Sequence, residues 1–202
     1  MTRATSGSLV TTCSRRRGAD MLLLVNFVVF QVAWFSSVLG AAEQLPWLGP
    51  VAVLIALALH LRAAHKPFEE ILLVLSCALI GAGFDSFLVT AGWVTYESGL
   101  FSNYLAPSWI ITMWMLFATT LNVSMRWLRG RPKLAALFGF YGGPTTYLAG
   151  EALGGIVLTN QVAALIALAV GWAVIMPMLM WLSEHLDGMP GERRRWIAER
   201  SQ

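Results

Sequence analysis

Six apolar stretches, separated by short polar segments, constrain the fold of this chain more than any other feature. They cover residues 21–42, 47–61, 71–94, 108–125, 134–156 and 162–182. A helix needs about 20 mostly apolar residues to cross the roughly 30 Å hydrocarbon core of a bilayer. The stretches meet or approach that length, although Gly142, Gly143 and Pro144 interrupt the fifth. We therefore predict six membrane-spanning helices.

The composition argues against an ordinary soluble domain. Hydrophobic residues make up 57% of the 202 residues and charged residues only 12%, whereas a soluble domain is about one quarter charged. A soluble domain of this size has no interior large enough to bury so much apolar surface. The predicted fold class is therefore all-α, a polytopic membrane helix bundle with six transmembrane helices.

All lysine and arginine residues lie on one side of this six-span arrangement. They precede the first span, separate the second from the third and the fourth from the fifth, and follow the sixth: Arg3, Arg15, Arg16, Arg17, Arg62, Lys66, Arg126, Arg129, Arg131, Lys133, Arg193, Arg194, Arg195 and Arg200. Because cytoplasmic loops accumulate positive charge, both termini are predicted to be cytoplasmic. The net charge of +3 is interpreted as a topology signal, and we expect no nucleic-acid partner.

The sequence divides into three segments. Residues 1–20 form a polar, basic N-terminal extension, residues 21–182 the six-span domain, and residues 183–202 a charged cytoplasmic tail. Met21 directly precedes the first apolar stretch, so whether translation starts at Met1 or at Met21 stays open. A cleavable signal peptide is an alternative for the same region. The first stretch is longer than a signal peptide requires, and we expect an uncleaved anchor.

Several short patterns, each present once, follow one another along the chain. They are Asn26-Phe27 with Gln31 and Trp34, Pro46-Trp47-Leu48-Gly49-Pro50, Asp85, Phe117 to Asn122 with Arg126-Trp127-Leu128, and Gly142-Gly143-Pro144 with Tyr147 and Gly150. In this order they resemble the bacterial inner-membrane proteins known only as domain-of-unknown-function family 2878, over about residues 22–182. The resemblance implies a multi-pass protein of the bacterial inner (cytoplasmic) membrane, linked to lipid or envelope modification. It assigns no role to any residue.

Motifs of familiar membrane enzymes are not found in the sequence. Three histidines, His60, His65 and His185, are too few for a di-iron oxygenase. The chain contains neither a P-loop nor an HExxH zinc helix, and Asp85 has no second intramembrane aspartate with which to share a proton. We expect no metal and no cofactor. If the protein is an enzyme, the candidate acids or bases are Asp85 and Glu151.

Asp85, Thr112 and Tyr147 are predicted to form a polar cluster within the membrane. At about 1.5 Å per residue, all three lie roughly 20 Å from the cytoplasmic edge of their spans. An unpaired, ionised carboxylate is too costly in hydrocarbon, so either water reaches Asp85 or its neutral carboxyl bonds to Thr112 or Tyr147. Two interpretations of Asp85 have equal weight: a purely structural hydrogen bond between helices and a functional proton site.

Two further groups of residues are predicted from their positions. Asn26, His60 and Asn122 lie near the cytoplasmic ends of their spans and are expected to form an inner polar cluster. Gly81, Gly139 and Gly143 lie on helix faces with small-residue spacing and are expected to allow close helix packing. Glu69 and Glu70 are expected at the solvated start of the third span, where carboxylates favour the helix dipole.

The predicted function is that of a non-catalytic accessory protein linked to membrane lipid or envelope modification. Its expected partners are membrane lipids, with other membrane proteins as further candidates. A small transporter or flippase and a membrane-embedded enzyme acting on lipid are the alternatives. A transporter requires a water path to Asp85, and an enzyme requires a lateral opening at the same depth. A packing protein requires neither.

Overall fold

The computed structural model describes residues 6–190, with side chains from Asp20 onward. This part of the chain is all-α and contains no strand, as predicted. Its elements are α1 (Ser6–Ala42), α2 (Leu48–Ala63), α3 (Pro67–Thr90), α4 (Ser108–Leu121), a 3-10 turn (Arg126–Leu128), α5 (Pro132–Ala152) and α6 (Gln161–His185). Part of the predicted N-terminal extension and most of the predicted tail lie outside the described residues.

Three of the helices are long and apolar enough to cross a membrane. They are the Asp20–Ala42 part of α1, α3 and α6. The apolar helices α2 and α4 have only 16 and 14 residues, so at about 1.5 Å per residue they are shorter than the hydrocarbon core. Four glycines and two threonines lower the hydropathy of the 21-residue α5. Length and composition therefore support three spans and do not establish six.

One end of the bundle, here called the basic end, gathers linkers 64–66 and 122–131 and the segment 186–190. The backbone N–H groups of His65 and Lys66 donate to the Gly188 carbonyl at 2.8 and 3.0 Å. Arg126 and Arg129 form ion pairs with Asp187 at 2.7 and 2.8 Å. Every lysine or arginine whose side chain is described belongs to this end or to the helix turns beside it.

The opposite end, here called the neutral end, gathers linkers 43–47, 91–107 and 153–160. Thr95 and Val157 exchange backbone hydrogen bonds of 2.9 and 3.0 Å, and the Ser98 hydroxyl donates to the Ala41 carbonyl at 2.9 Å. Alternate linkers thus meet at opposite ends, so successive helices run in opposite directions. This is the alternation that the placement of lysine and arginine predicts.

Helix α4 lies at the centre of the bundle, where it contacts α1, α2 and α3. Helix α5 packs mainly on α6, whereas α1 packs on α2 and α4. Because α1 and α5 each have their main contacts elsewhere, a space remains between them. This space defines the groove that is described below.

The three glycines predicted to allow close packing lie at helix contacts. A Cβ atom at Gly81 would overlap the Trp114 indole, so α3 and α4 approach closely there. A Cβ atom at Gly139 or Gly143 would overlap Trp172, at its backbone carbonyl and its side chain respectively. Small residues of this kind let helices pack closely without a hydrophobic driving force.

Candidate functional site

The carboxylate of Asp85, on α3, is fully buried and meets three hydrogen-bond donors. The Trp114 indole N–H donates to Oδ2 at 2.6 Å. The Tyr96 hydroxyl donates to Oδ1 at 2.9 Å, and the Tyr147 hydroxyl donates to the same oxygen. Asp85 has 0% exposure. Since buried polar groups are costly without partners, these donors account for how a carboxylate is accommodated here.

The three donors come from three different parts of the chain. Trp114 lies on α4, Tyr147 on α5 and Tyr96 in the linker between α3 and α4. Gly81 stands one turn before Asp85, and its lack of a side chain leaves room for the Trp114 ring against α3. The indole N–H can therefore reach the carboxylate on the same helix face. Asp85 connects α3, α4, α5 and the neutral-end linker.

The structure brings Tyr147 to Asp85 but does not bring Thr112 to it. The Thr112 hydroxyl donates instead to the Trp109 carbonyl at 3.0 Å. Thr112 has the right depth but the wrong direction, because residues two positions apart on a helix point about 200° apart. Trp114, two residues later, faces Asp85. Sequence reasoning missed Trp114 because depth was counted without helix rotation, and missed Tyr96 because it lies in a linker.

Trp114 belongs to a compact group of aromatic rings. It stacks on Trp172 of α6, with centroids 4.6 Å apart and planes inclined by 12°. Phe117 meets Trp172 edge to face at 5.3 Å. Gly139 and Gly143 provide the space that Trp172 occupies against α5. The rings therefore form a packed surface that joins α4, α5 and α6.

A groove of about 380 Å³ lies above this aromatic surface, between α1 and α5. Its walls come mainly from α1, α4 and α5, and they are predominantly apolar. Trp114 and Tyr147 line it, whereas the Asp85 that they bind does not. The exposed Thr145 and Thr146 also line it, so the groove is open along its side.

The groove is closed at the neutral end. Linker 153–160 lies directly on the end of α1, where a Cβ atom at Gly155 would be 2.9 Å from the Val38 carbonyl oxygen. Gly154 has a φ of +81° and faces Ala42. Ile156 packs on Gly150 and lines the same groove. Access is therefore lateral, between α1 and α5, and does not run through the neutral end.

A second buried carboxylate, Glu70, lies near the basic end. It is 0% exposed and accepts from His60 at 2.9 Å, from the Asn122 side chain at 2.7 Å and from the Gly188 backbone at 2.8 Å. Arg129 donates to the Asn122 side-chain oxygen. The expectation that Glu70 is solvated was wrong, because segment 186–190 and the end of α4 cover the start of α3.

The predicted inner polar cluster is divided in two. His60 and Asn122 are connected through Glu70. Asn26 instead donates to the Thr119 carbonyl at 3.1 Å and accepts from the Ser124 hydroxyl at 2.8 Å. It therefore connects α1 to the end of α4, at a separate position.

Neither candidate acid is arranged for metal binding. The Glu151 carboxylate accepts from the Leu158 backbone N–H at 2.9 Å, so it caps the linker that follows α5. Among the described residues, no group of three or more His, Cys, Asp or Glu side chains could hold a metal ion. Asp85 and Glu151 each accept hydrogen bonds from groups of the protein itself.

Replacing Asp85 by Asn should destabilise the protein. The amide retains one acceptor oxygen but places an NH₂ group among three donors, and each buried donor left without a partner costs about 1–3 kcal/mol. Thermal unfolding of the purified protein in detergent measures the effect. Tyr96→Phe, which removes one donor and leaves the carboxylate two, should destabilise less. Asp20→Asn, at an exposed position, is the control, and a D85N variant as stable as this control would contradict the assignment.

Comparison with known proteins places the chain in a family whose function is not established. No curated protein and no solved structure matches it significantly. The model of the family described as "Protein of unknown function (DUF2878)" matches residues 23–178, most of the chain. The chain therefore belongs to this family.

Proposed function

We propose that this protein spans the bacterial inner membrane six times and binds the acyl chain of a lipid in the groove between α1 and α5. Its role is that of a non-catalytic accessory protein in lipid or envelope modification. The lateral opening of the groove is the observation that carries the proposal. The groove lies beside the apolar surfaces of α1 and α5, so hydrocarbon is the medium that borders it.

The six-span arrangement is supported by the two ends of the bundle. The short helices α2 and α4 begin and end at the same ends as the longer helices, since their linkers contact those of α1, α3 and α6. The 3-10 turn at Arg126–Leu128 follows α4, and Arg126 forms its ion pair with Asp187 at the basic end. A bilayer can thin locally around a short hydrophobic helix at modest cost.

The outer surfaces of the helices also suit a lipid environment. Large apolar side chains are exposed on several helices, including Leu79 at 77%, Val162 at 71% and Val174 at 66%. Soluble monomers rarely expose extensive apolar patches to water. Apolar side chains that face lipid are not exposed to water and carry no such cost. With the cations on the cytoplasmic side, both termini face the cytoplasm.

The groove has the dimensions and surface of a binding site for an apolar ligand. Its volume of about 380 Å³ falls in the range of small-molecule pockets, which is roughly 300–1,000 Å³. Empty apolar cavities remain dry and accept apolar guests. An acyl chain that enters from the side would therefore fill it more favourably than water.

Binding is favoured over catalysis by the residues of the groove. General acid–base catalysis needs an ionisable group within hydrogen-bond reach of the substrate. Tyr147 is the one ionisable side chain among the described lining residues, and its hydroxyl is directed at Asp85. The lateral opening is the feature expected of an enzyme acting on lipid. However, Trp114 and Tyr147 separate Asp85 from it. A transporter is not favoured, because Asp85 is fully buried and the neutral end of the groove is closed.

The six-span arrangement predicts the location of reporter proteins fused along the chain. Fusions after Gly130 and Gln202 should be cytoplasmic, because the basic end faces the cytoplasm. Fusions after Glu97 and Thr159 should be periplasmic. Alkaline phosphatase and green fluorescent protein fusions distinguish the two locations, and a periplasmic C-terminus would exclude the arrangement.

Occupation of the groove can be measured with phosphatidylcholine that carries a photoreactive diazirine near the end of one acyl chain. In reconstituted vesicles, cross-links should map to Trp114 and the 139–150 part of α5. Gly142→Leu should reduce them severalfold, because it fills the groove; a Cβ atom there meets only Phe138, at 3.8 Å.

The matched control for this experiment is Gly83→Leu, on the exposed side of α3, where a Cβ atom meets nothing within 4 Å. It should leave the groove cross-links unchanged. Cross-links confined to outward-facing residues such as Val162 and Val174 in the unaltered protein would contradict lipid binding in the groove.

A further inference from the structure

We infer that the groove selects an anionic phospholipid from the leaflet at the basic end. This inference rests on the proposed function and adds the charge and the leaflet of the ligand. It follows from how the groove ends in each direction and from the positions of two cations that have no ion-pair partner in the described part of the chain.

The neutral end offers no place for an anionic headgroup. Contacts of Gly154 and Gly155 with the end of α1 close the groove there. The charged residues of the neutral-end linkers and of the adjoining end of α5 are Glu43, Glu97 and Glu151, and no lysine or arginine lies among them. A phosphate at this end would meet only carboxylates, which repel it.

In the other direction the groove continues toward the basic end. Its lining extends to Met125, in the linker after α4, and to Phe138 on α5. The Trp127 ring packs edge to face on Phe138 at 6.2 Å. Tryptophan is favoured at the level of lipid headgroups. A lipid whose chain lies in the groove would therefore place its headgroup near linker 122–131.

Two cations, one in linker 122–131 and one at the start of α5, have no ion-pair partner among the described residues. Arg126 and Arg129 pair with Asp187. Arg131 and Lys133 are exposed, and the structure shows for them no ion pair or side-chain hydrogen bond with a described residue. Lys133 precedes Phe138 by five residues, about 7.5 Å along the axis of α5.

These cations complement the phosphate of a headgroup. Arginine binds phosphate oxygens through a planar fork of donors and lysine binds them as a point charge. The Glu184 carboxylate accepts from the Gly130 backbone N–H, next to Arg131, at 3.0 Å. The sequence adds Arg15, Arg16 and Arg17 before the first span, on the same side of the proposed topology. The field at this end therefore favours an anionic lipid.

The test compares two probes that carry the same diazirine-bearing acyl chain, one phosphatidylglycerol and one phosphatidylcholine. Each is present at a low fraction in phosphatidylcholine vesicles containing the full-length protein. Phosphatidylglycerol should cross-link to the groove residues more strongly. The double variant Arg131→Gln, Lys133→Gln should lower this preference by on the order of fivefold for each cation removed. Arg62→Gln, an exposed cation of α2 at the same end, should leave it unchanged.

The outcomes separate this inference from the proposed function. Equal cross-linking of both probes in the groove, lost in Gly142→Leu, would overturn the inference and retain lipid binding. A preference that survives the double variant would also overturn the inference. Absence of groove cross-links with either probe would overturn both proposals.

Discussion

The hydrogen bonds to the Asp85 carboxylate are the interaction on which the rest of the structure depends. One carboxylate receives donors from α4, α5 and the neutral-end linker, so the positions of these parts relative to α3 are not independent. Loss of the carboxylate would leave three donors without a partner in an apolar interior, which is far costlier than never having made the bonds. The aspartate acts as a structural centre that sets the spacing of the bundle.

The same contacts shape the groove. Trp114 and Tyr147 direct their polar atoms toward Asp85 and line the space between α1 and α5 with the rest of their rings. Trp172 supports Trp114 by stacking, and the glycines of α5 make room for it. At the basic end, Glu70 is a second buried centre that holds segment 186–190 against α3 and α4. The two carboxylates therefore connect the bundle at two levels and leave the α1–α5 side open.

Much of this architecture could be predicted from the sequence, because apolar length, charge placement and helical spacing are local properties. They locate the helices, assign alternate linkers to opposite ends and bring Asp85 to the depth of Tyr147. Three features could not be predicted in this way. Helix rotation decides that Trp114 rather than Thr112 faces Asp85. The burial of Glu70 depends on segment 186–190, more than 110 positions away in the chain. The groove arises where two helices do not pack, and no motif marks a missing contact.

The most direct test of lipid binding in the groove beside Asp85 is a cryo-electron microscopy map of the protein in a nanodisc of its native membrane lipids, at a resolution that distinguishes side chains. Lipid binding in the groove predicts elongated density between α1 and α5, in contact with Trp114 and Tyr147 and ending beneath Gly154 and Gly155. Direct packing of α1 on α5, with no space between them, would contradict it.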